Sequence, residues 1–77
     1  MSNQHTILHK ALLDRGWTQT SDKSYEITTT HQHTALVIRN DNTLTIFYRT
    51  PTSGGSTYIK ATTPALRAAR EATRIAH

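Results

Sequence analysis

The stretch TALVIRNDNTLTIFYRT, residues 34–50, decides the fold. Apolar and polar side chains alternate on both sides of Asn40-Asp41-Asn42, a cluster of short polar residues that suits a tight turn. A three-residue loop there sets Ile38 opposite Leu44, Leu36 opposite Ile46 and Thr34 opposite Tyr48. The other face then holds His33, Ala35, Val37 and Arg39 against Arg49, Phe47, Thr45 and Thr43. A two-residue loop would shift the register by one and mix these sets, so the patterning selects the odd loop length. The expectation is an antiparallel hairpin, Ala35 to Arg39 with Thr43 to Thr50, with one core face and one amphipathic face.

Toward the N-terminus, Tyr25, Ile27 and Thr29 alternate with Glu26, Thr28 and Thr30, predicting a preceding strand that ends near His31-Gln32-His33. The chain has 15 threonines, whose stiff first torsion favours strands, so its middle leans toward sheet. Residues 4–15 place Ile7, Leu8, Ala11 and Leu12 on one helical face. Ser2 or Asn3 suits its cap, Gly16 suits a left-handed stop, and Trp17 can fold back on the last turn.

Toward the C-terminus, Pro51 to Ser56 reads as a flexible loop and Thr57 to Ala61 as a short fourth strand. Thr63-Pro64 is a helix start, since threonine caps and proline suits the first helical position. A helix from Pro64 to about Ala76 gathers Ala65, Leu66, Ala69, Ala72 and Ala76 on one side and Arg67, Arg70 and Arg74 on the other. The expected class is α+β with order αβββ(β)α: an antiparallel three- to four-stranded sheet with both helices packed on one face. Residues 1–77 form one compact domain in this reading.

Composition narrows the function classes. No cysteine occurs, which excludes a disulfide framework, a thiolate metal site and a thiol nucleophile. No apolar run exceeds the four of Ala35 to Ile38, so no membrane span or signal-peptide core is read, and a cytoplasmic location is expected. Nine Lys and Arg against five Asp and Glu give a net charge of +4. Before Arg39 the charges cancel; from there on Arg39, Arg49, Lys60, Arg67, Arg70 and Arg74 face only Asp41 and Glu71. An acidic partner is expected to meet this C-terminal portion.

The order αβββα with an alanine-rich last helix resembles the double-stranded-RNA-binding-like domains. In that family a Ser-Lys-Lys-x-Ala-Lys run at the start of the last helix grips phosphates; with Ala65 in the alanine's place, those lysine positions hold Thr62, Thr63 and Leu66. Small RNA-cleaving toxins of the same topology show a leucine pair, a spacer and Gly-Trp, similar to Leu12-Leu13-Asp14-Arg15-Gly16-Trp17. Their catalytic histidine follows a serine at a strand start, where Ser24 is here followed by Tyr25.

Two constellations remain for binding. Arg67, Arg70 and Arg74 put three forked donors on one helical ridge, which suits a row of phosphates, and Lys60 would extend it. The bland alternative is a solvated face with Glu71 bridging Arg67 and Arg74. On the second sheet face, Phe47 and Val37 lie among Arg39, Arg49 and His33, a patch that favours a protein or dimer contact over the two other readings, stacked unpaired bases and an unremarkable surface.

His5 with His9 and His31 with His33 form two separate pairs without a nearby acid, short of the three or four converging ligands zinc needs. No metal or cofactor is expected. The five acids fall in the first helix, turns and an exposed helix face, and Ser53-Gly-Gly-Ser56 lacks the Gly-Lys-Ser/Thr of a phosphate-cradling loop, so no catalysis is expected. The expected function is a small non-enzymatic module contacting nucleic-acid phosphates through its basic C-terminal helix. The alternative is a stand-alone protein-interaction or inhibitor protein, of the kind viruses and mobile elements use to block a host complex. A homodimer through the sheet face or an open edge is a further allowed partner.

Overall fold

The computed structural model describes residues 4–77, so the Ser2 or Asn3 cap lies outside the described residues. Helix α1 spans Gln4–Asp14, and strands β1 Thr18–Ser21, β2 Ser24–Thr28, β3 His33–Ile38, β4 Leu44–Arg49 and β5 Gly54–Ile59 follow; helix α2, Ala65–Ala76, closes the chain. The strands form one antiparallel sheet in chain order, β1-β2-β3-β4-β5. The class is α+β.

The central hairpin carries the register its patterning demands. Ile38 pairs with Leu44, Leu36 with Ile46, Thr34 with Tyr48, Ala35 with Phe47 and His33 with Arg49. At the turn, Asn42 N–H donates to the Arg39 carbonyl at 2.9 Å and Arg39 N–H to the Thr43 carbonyl at 2.8 Å. Asn42 takes a φ of 69°, the left-handed conformation that asparagine tolerates and that ends a three-residue hairpin loop.

The sheet has five strands rather than three or four. Strand β1 is fully exposed along its length and has no apolar alternation to betray it. A bulge between Gln19 and Ser21 interrupts its pairing with β2, a feature that blunts an edge strand against further pairing. Strand β5 begins at Gly54, inside the stretch expected to be a loop. The Tyr48 ring lies where a Cβ on Gly55 would sit, with its hydroxyl 2.8 Å from that position, so the glycine gives the ring its place over the strand. Strand β2 ends at Thr28, and Thr29–Gln32 form a turn in which Thr29 N–H donates to the Gln32 carbonyl at 2.9 Å. His33 opens β3 opposite Arg49, as the hairpin register set it, and the strand before it ends short of the expected His31-Gln32-His33.

Both expected helices form, with one change at a terminus. Gly16, at φ 96°, ends α1: Trp17 N–H donates to the Leu12 carbonyl and Gly16 N–H to the Leu13 carbonyl, while Trp17 is buried beside Leu12 in the core. At the start of α2, Pro64 itself stands at the N-cap with ψ 144°, and among the described residues no side chain forms a cap hydrogen bond. Thr63 instead uses its N–H to close a turn onto the Lys60 carbonyl at 3.0 Å.

One hydrophobic cluster joins Leu8, Ala11 and Leu12 of α1 and Ala65, Ala68, Ala69, Ala72 and Ala76 of α2 to Tyr25, Leu36, Ile38, Leu44, Ile46 and Ile59 of the sheet. Burial of each large aliphatic side chain contributes roughly 1.5–3 kcal/mol. Ile7 and Leu66, expected in the core, are 39% and 62% exposed. At 100° per residue Leu66 points a quarter-turn from the stripe centred on Ala65, Ala69 and Ala72, and Ala68 takes the place inside it.

Tyr25 is fully buried, and its hydroxyl lies 2.6 Å from His9 Nδ1. Burial raises its pKa above the ordinary tyrosine value of about 10. The folded state thus holds the phenolic proton more tightly than the unfolded chain, so this contribution to stability is complete below about pH 10 and is lost as pH rises toward the folded value. The urea midpoint of the wild type is expected to fall as pH rises above about 10, and that of Tyr25→Phe to fall less. Parallel falls in the two proteins would assign the alkaline loss to other groups.

Candidate functional site

Two basic surfaces lie on different elements. On α2, five small residues at helical spacing turn inward, which leaves the outward side to the arginines. Arg67, Arg70 and Arg74 are all exposed, at three- and four-residue spacings that set neighbouring Cβ atoms about 5–6 Å apart. Arg74 Nη2 meets Glu71 Oε2 at 2.6 Å, whereas Arg67 and Arg70 form no ion pair among the described residues. The expected Glu71 bridge thus reaches only Arg74.

Lys60 is exposed and lines a cleft of about 350 Å³ with His5, Asn42 and Thr63, over a floor that includes Leu8, Ile38 and Ala65. Among the described residues, His5 and Lys60 are the titratable groups that line it.

The second surface is the sheet face turned away from the core cluster. Phe47 is 47% exposed there, and Arg39 and Arg49 are exposed. The register adds a residue that the hairpin alone did not supply: Tyr58, opposite Thr45 and 65% exposed, stands diagonally from Phe47 on the same face. Its signal in the sequence was its place before Ile59, which is buried on the opposite side of the strand.

Acidic groups also reach this face, and each has a local partner. Glu26 Oε1 lies 2.7 Å from His33 Nε2, and His33 Nδ1 lies 2.9 Å from the Thr28 hydroxyl. The Asp41 carboxylate accepts the Thr43 N–H at 3.0 Å. Hydrogen bonds from Thr43 foremost, with a smaller contribution from the Arg39 charge, hold its pKa below the ordinary aspartate value.

The histidines are dispersed into separate roles: His9 meets Tyr25, and His33 meets Glu26 and Thr28. Among the described residues no three His, Asp or Glu side chains converge as a metal site, and no helix is long and apolar enough to cross a membrane.

The chain matches no known family model, no curated protein and no solved structure. Its function is therefore read from these two surfaces.

Proposed function

We propose that this protein is a small non-enzymatic binding module that contacts nucleic-acid phosphates through α2, with both helices laid on the Leu36 and Ile46 face of the sheet in the manner of double-stranded-RNA-binding-like domains. The observation that carries the reading is the exposed row Arg67, Arg70 and Arg74, with one acid among three bases. Guanidinium forks suit phosphate oxygens, and a row at helical spacing presents them without reaching any base edge. Binding in this reading is insensitive to sequence, and the protein works in the cytoplasm.

Three neutralised phosphates give a slope of about −2.7 for log affinity against log salt on duplex DNA. Raising salt from about 50 to 200 mM is then expected to weaken binding of a labelled duplex about 40-fold, read by fluorescence anisotropy. Absence of binding to both DNA and RNA duplexes at the lower salt would sink the proposal.

A second reading, a protein-interaction or inhibitor protein of the viral or mobile-element kind, draws on a different observation. Ile7 and Leu66 stay exposed along a groove between the helices that Lys10, Asp14 and Arg15 also line. A chain that binds no nucleic acid at low salt while Leu66 resists replacement would favour it.

A further inference from the structure

We propose that the open sheet face is a second site, one for unpaired nucleotides, at which Phe47 and Tyr58 stack on successive bases while Arg39 and Arg49 hold the flanking phosphates. The inference rests on the reading of this protein as a nucleic-acid binder but uses none of the residues of the α2 ridge.

Phe47 pairs with Ser56 and Thr45 pairs with Tyr58, so the two rings occupy diagonal positions on neighbouring strands of one face. Diagonal neighbours lie about 7–8 Å apart, close enough for adjacent bases of one strand to meet both rings. Their neighbours across the strands, Ser56 and Thr45, are too small to cover them, and exposures of 47% and 65% leave both rings reachable.

Charge is disposed around the rings rather than beneath them. Arg49 ends β4 opposite His33, and Arg39 flanks the turn at the other end of the same hairpin. The six residue-to-residue steps from Thr43 to Arg49 span about 20 Å, which a few extended nucleotides can bridge. Arg39 and Tyr58 line one shallow hollow, and Arg49 lines another with His31 and His33. Glu26 and Asp41 share the face, yet Glu26 is engaged by His33 and Asp41 by the Thr43 N–H, and neither arginine forms an ion pair among the described residues.

Aromatic rings on an open sheet bounded by arginines match an unpaired strand, whose bases are apolar plates carried on an anionic backbone. A protein partner of comparable affinity would ask for a wider apolar patch than two rings bordered by charges.

The test uses the full chain with fluorescein-labelled oligo(dT) and oligo(U) of about eight nucleotides, a length within the site size of small single-strand binders. Phe47→Ala and Tyr58→Ala are each expected to weaken oligonucleotide binding about tenfold, whereas Tyr58→Phe, which keeps the ring, stays within about twofold. Both positions are exposed, so circular dichroism should show each variant folded. Duplex binding should be unmoved by the paired alanine change, and oligonucleotide binding should persist when Arg67, Arg70 and Arg74 become glutamine.

Oligonucleotide binding that survives the paired alanine change, or that vanishes only with the ridge, overturns the sheet site. So does a dimer in sedimentation that Phe47→Ala dissociates, because the face would then be occupied by a second copy. Duplex binding without oligonucleotide binding overturns this inference alone. Ring-dependent oligonucleotide binding without duplex binding overturns the ridge reading alone.

Discussion

Replacing Arg67, Arg70 and Arg74 together by glutamate is expected to lower duplex affinity more than a hundredfold at low salt. Each arginine is exposed, so its contact with a phosphate is discounted to about 1 kcal/mol, and three such contacts amount to roughly 3 kcal/mol. Reversal adds repulsion of the phosphates by the new carboxylates. It also sets acidic groups at three- and four-residue spacing around Glu71 and one in the last turn of α2, where the helix dipole disfavours them. The triple glutamine variant separates these effects, because it removes the charge without burdening the helix. Anisotropy titrations of both variants beside circular dichroism provide the measurement. Duplex affinity within about threefold of the wild type in the folded glutamine variant would remove α2 from the interface.

Trp17→Ala carries the largest expected loss of stability, about 3–5 kcal/mol. The side chain is 3% exposed, and its indole N–H donates to the Thr73 hydroxyl at 3.1 Å, which in turn donates to the Ala69 carbonyl at 2.8 Å. One residue thus closes α1 and fastens it to α2. A domain of 77 residues has roughly 4–12 kcal/mol of stability in total, so this variant is expected to be marginally folded at room temperature. Thr73→Val removes the acceptor but keeps the indole packed, and should cost only about 1 kcal/mol. Urea unfolding followed by circular dichroism compares the two. A loss below about 1 kcal/mol for Trp17→Ala would mean that the helices hold together without it.

The parts of the fold legible in the sequence are those where a chemical period or a backbone demand stands alone. Alternation on both sides of Asn40-Asp41-Asn42 admits one register, and that register is observed. Gly16 before Trp17 marks the end of α1 because only a residue at ease with positive φ completes that stop. Strand β1 was not legible, because Thr-Gln-Thr-Ser buries nothing and exists through its ladder to β2. The start of β5 was hidden for another reason. Gly54-Gly55 has the composition of a loop, and only the Tyr48 ring, which comes from the neighbouring strand, explains why glycine stands in a ladder.

The candidate site divides in the same way. The arginine ridge follows from helical spacing alone and is found exposed as the spacing requires. Tyr58 escaped because its place beside Phe47 depends on the β4 and β5 register, a relation between strands that neither strand displays by itself. Lys60, expected to lengthen the ridge, lines a cleft with His5 and Asn42 beside the turn that Thr63 closes onto its carbonyl.

The order of the strands bears on how the chain reaches this state. Every strand of the sheet pairs with its neighbour along the chain, so each hairpin needs only a short loop to close and the sheet can grow by successive local steps. The two helices have no such shortcut. Trp17 and Thr73, which join them, are 56 residues apart, and bringing them together carries the cost of closing a loop nearly as long as the molecule. The docking of the helices thereby joins positions 56 residues apart, and the single tryptophan stands at the junction where its emission would record it.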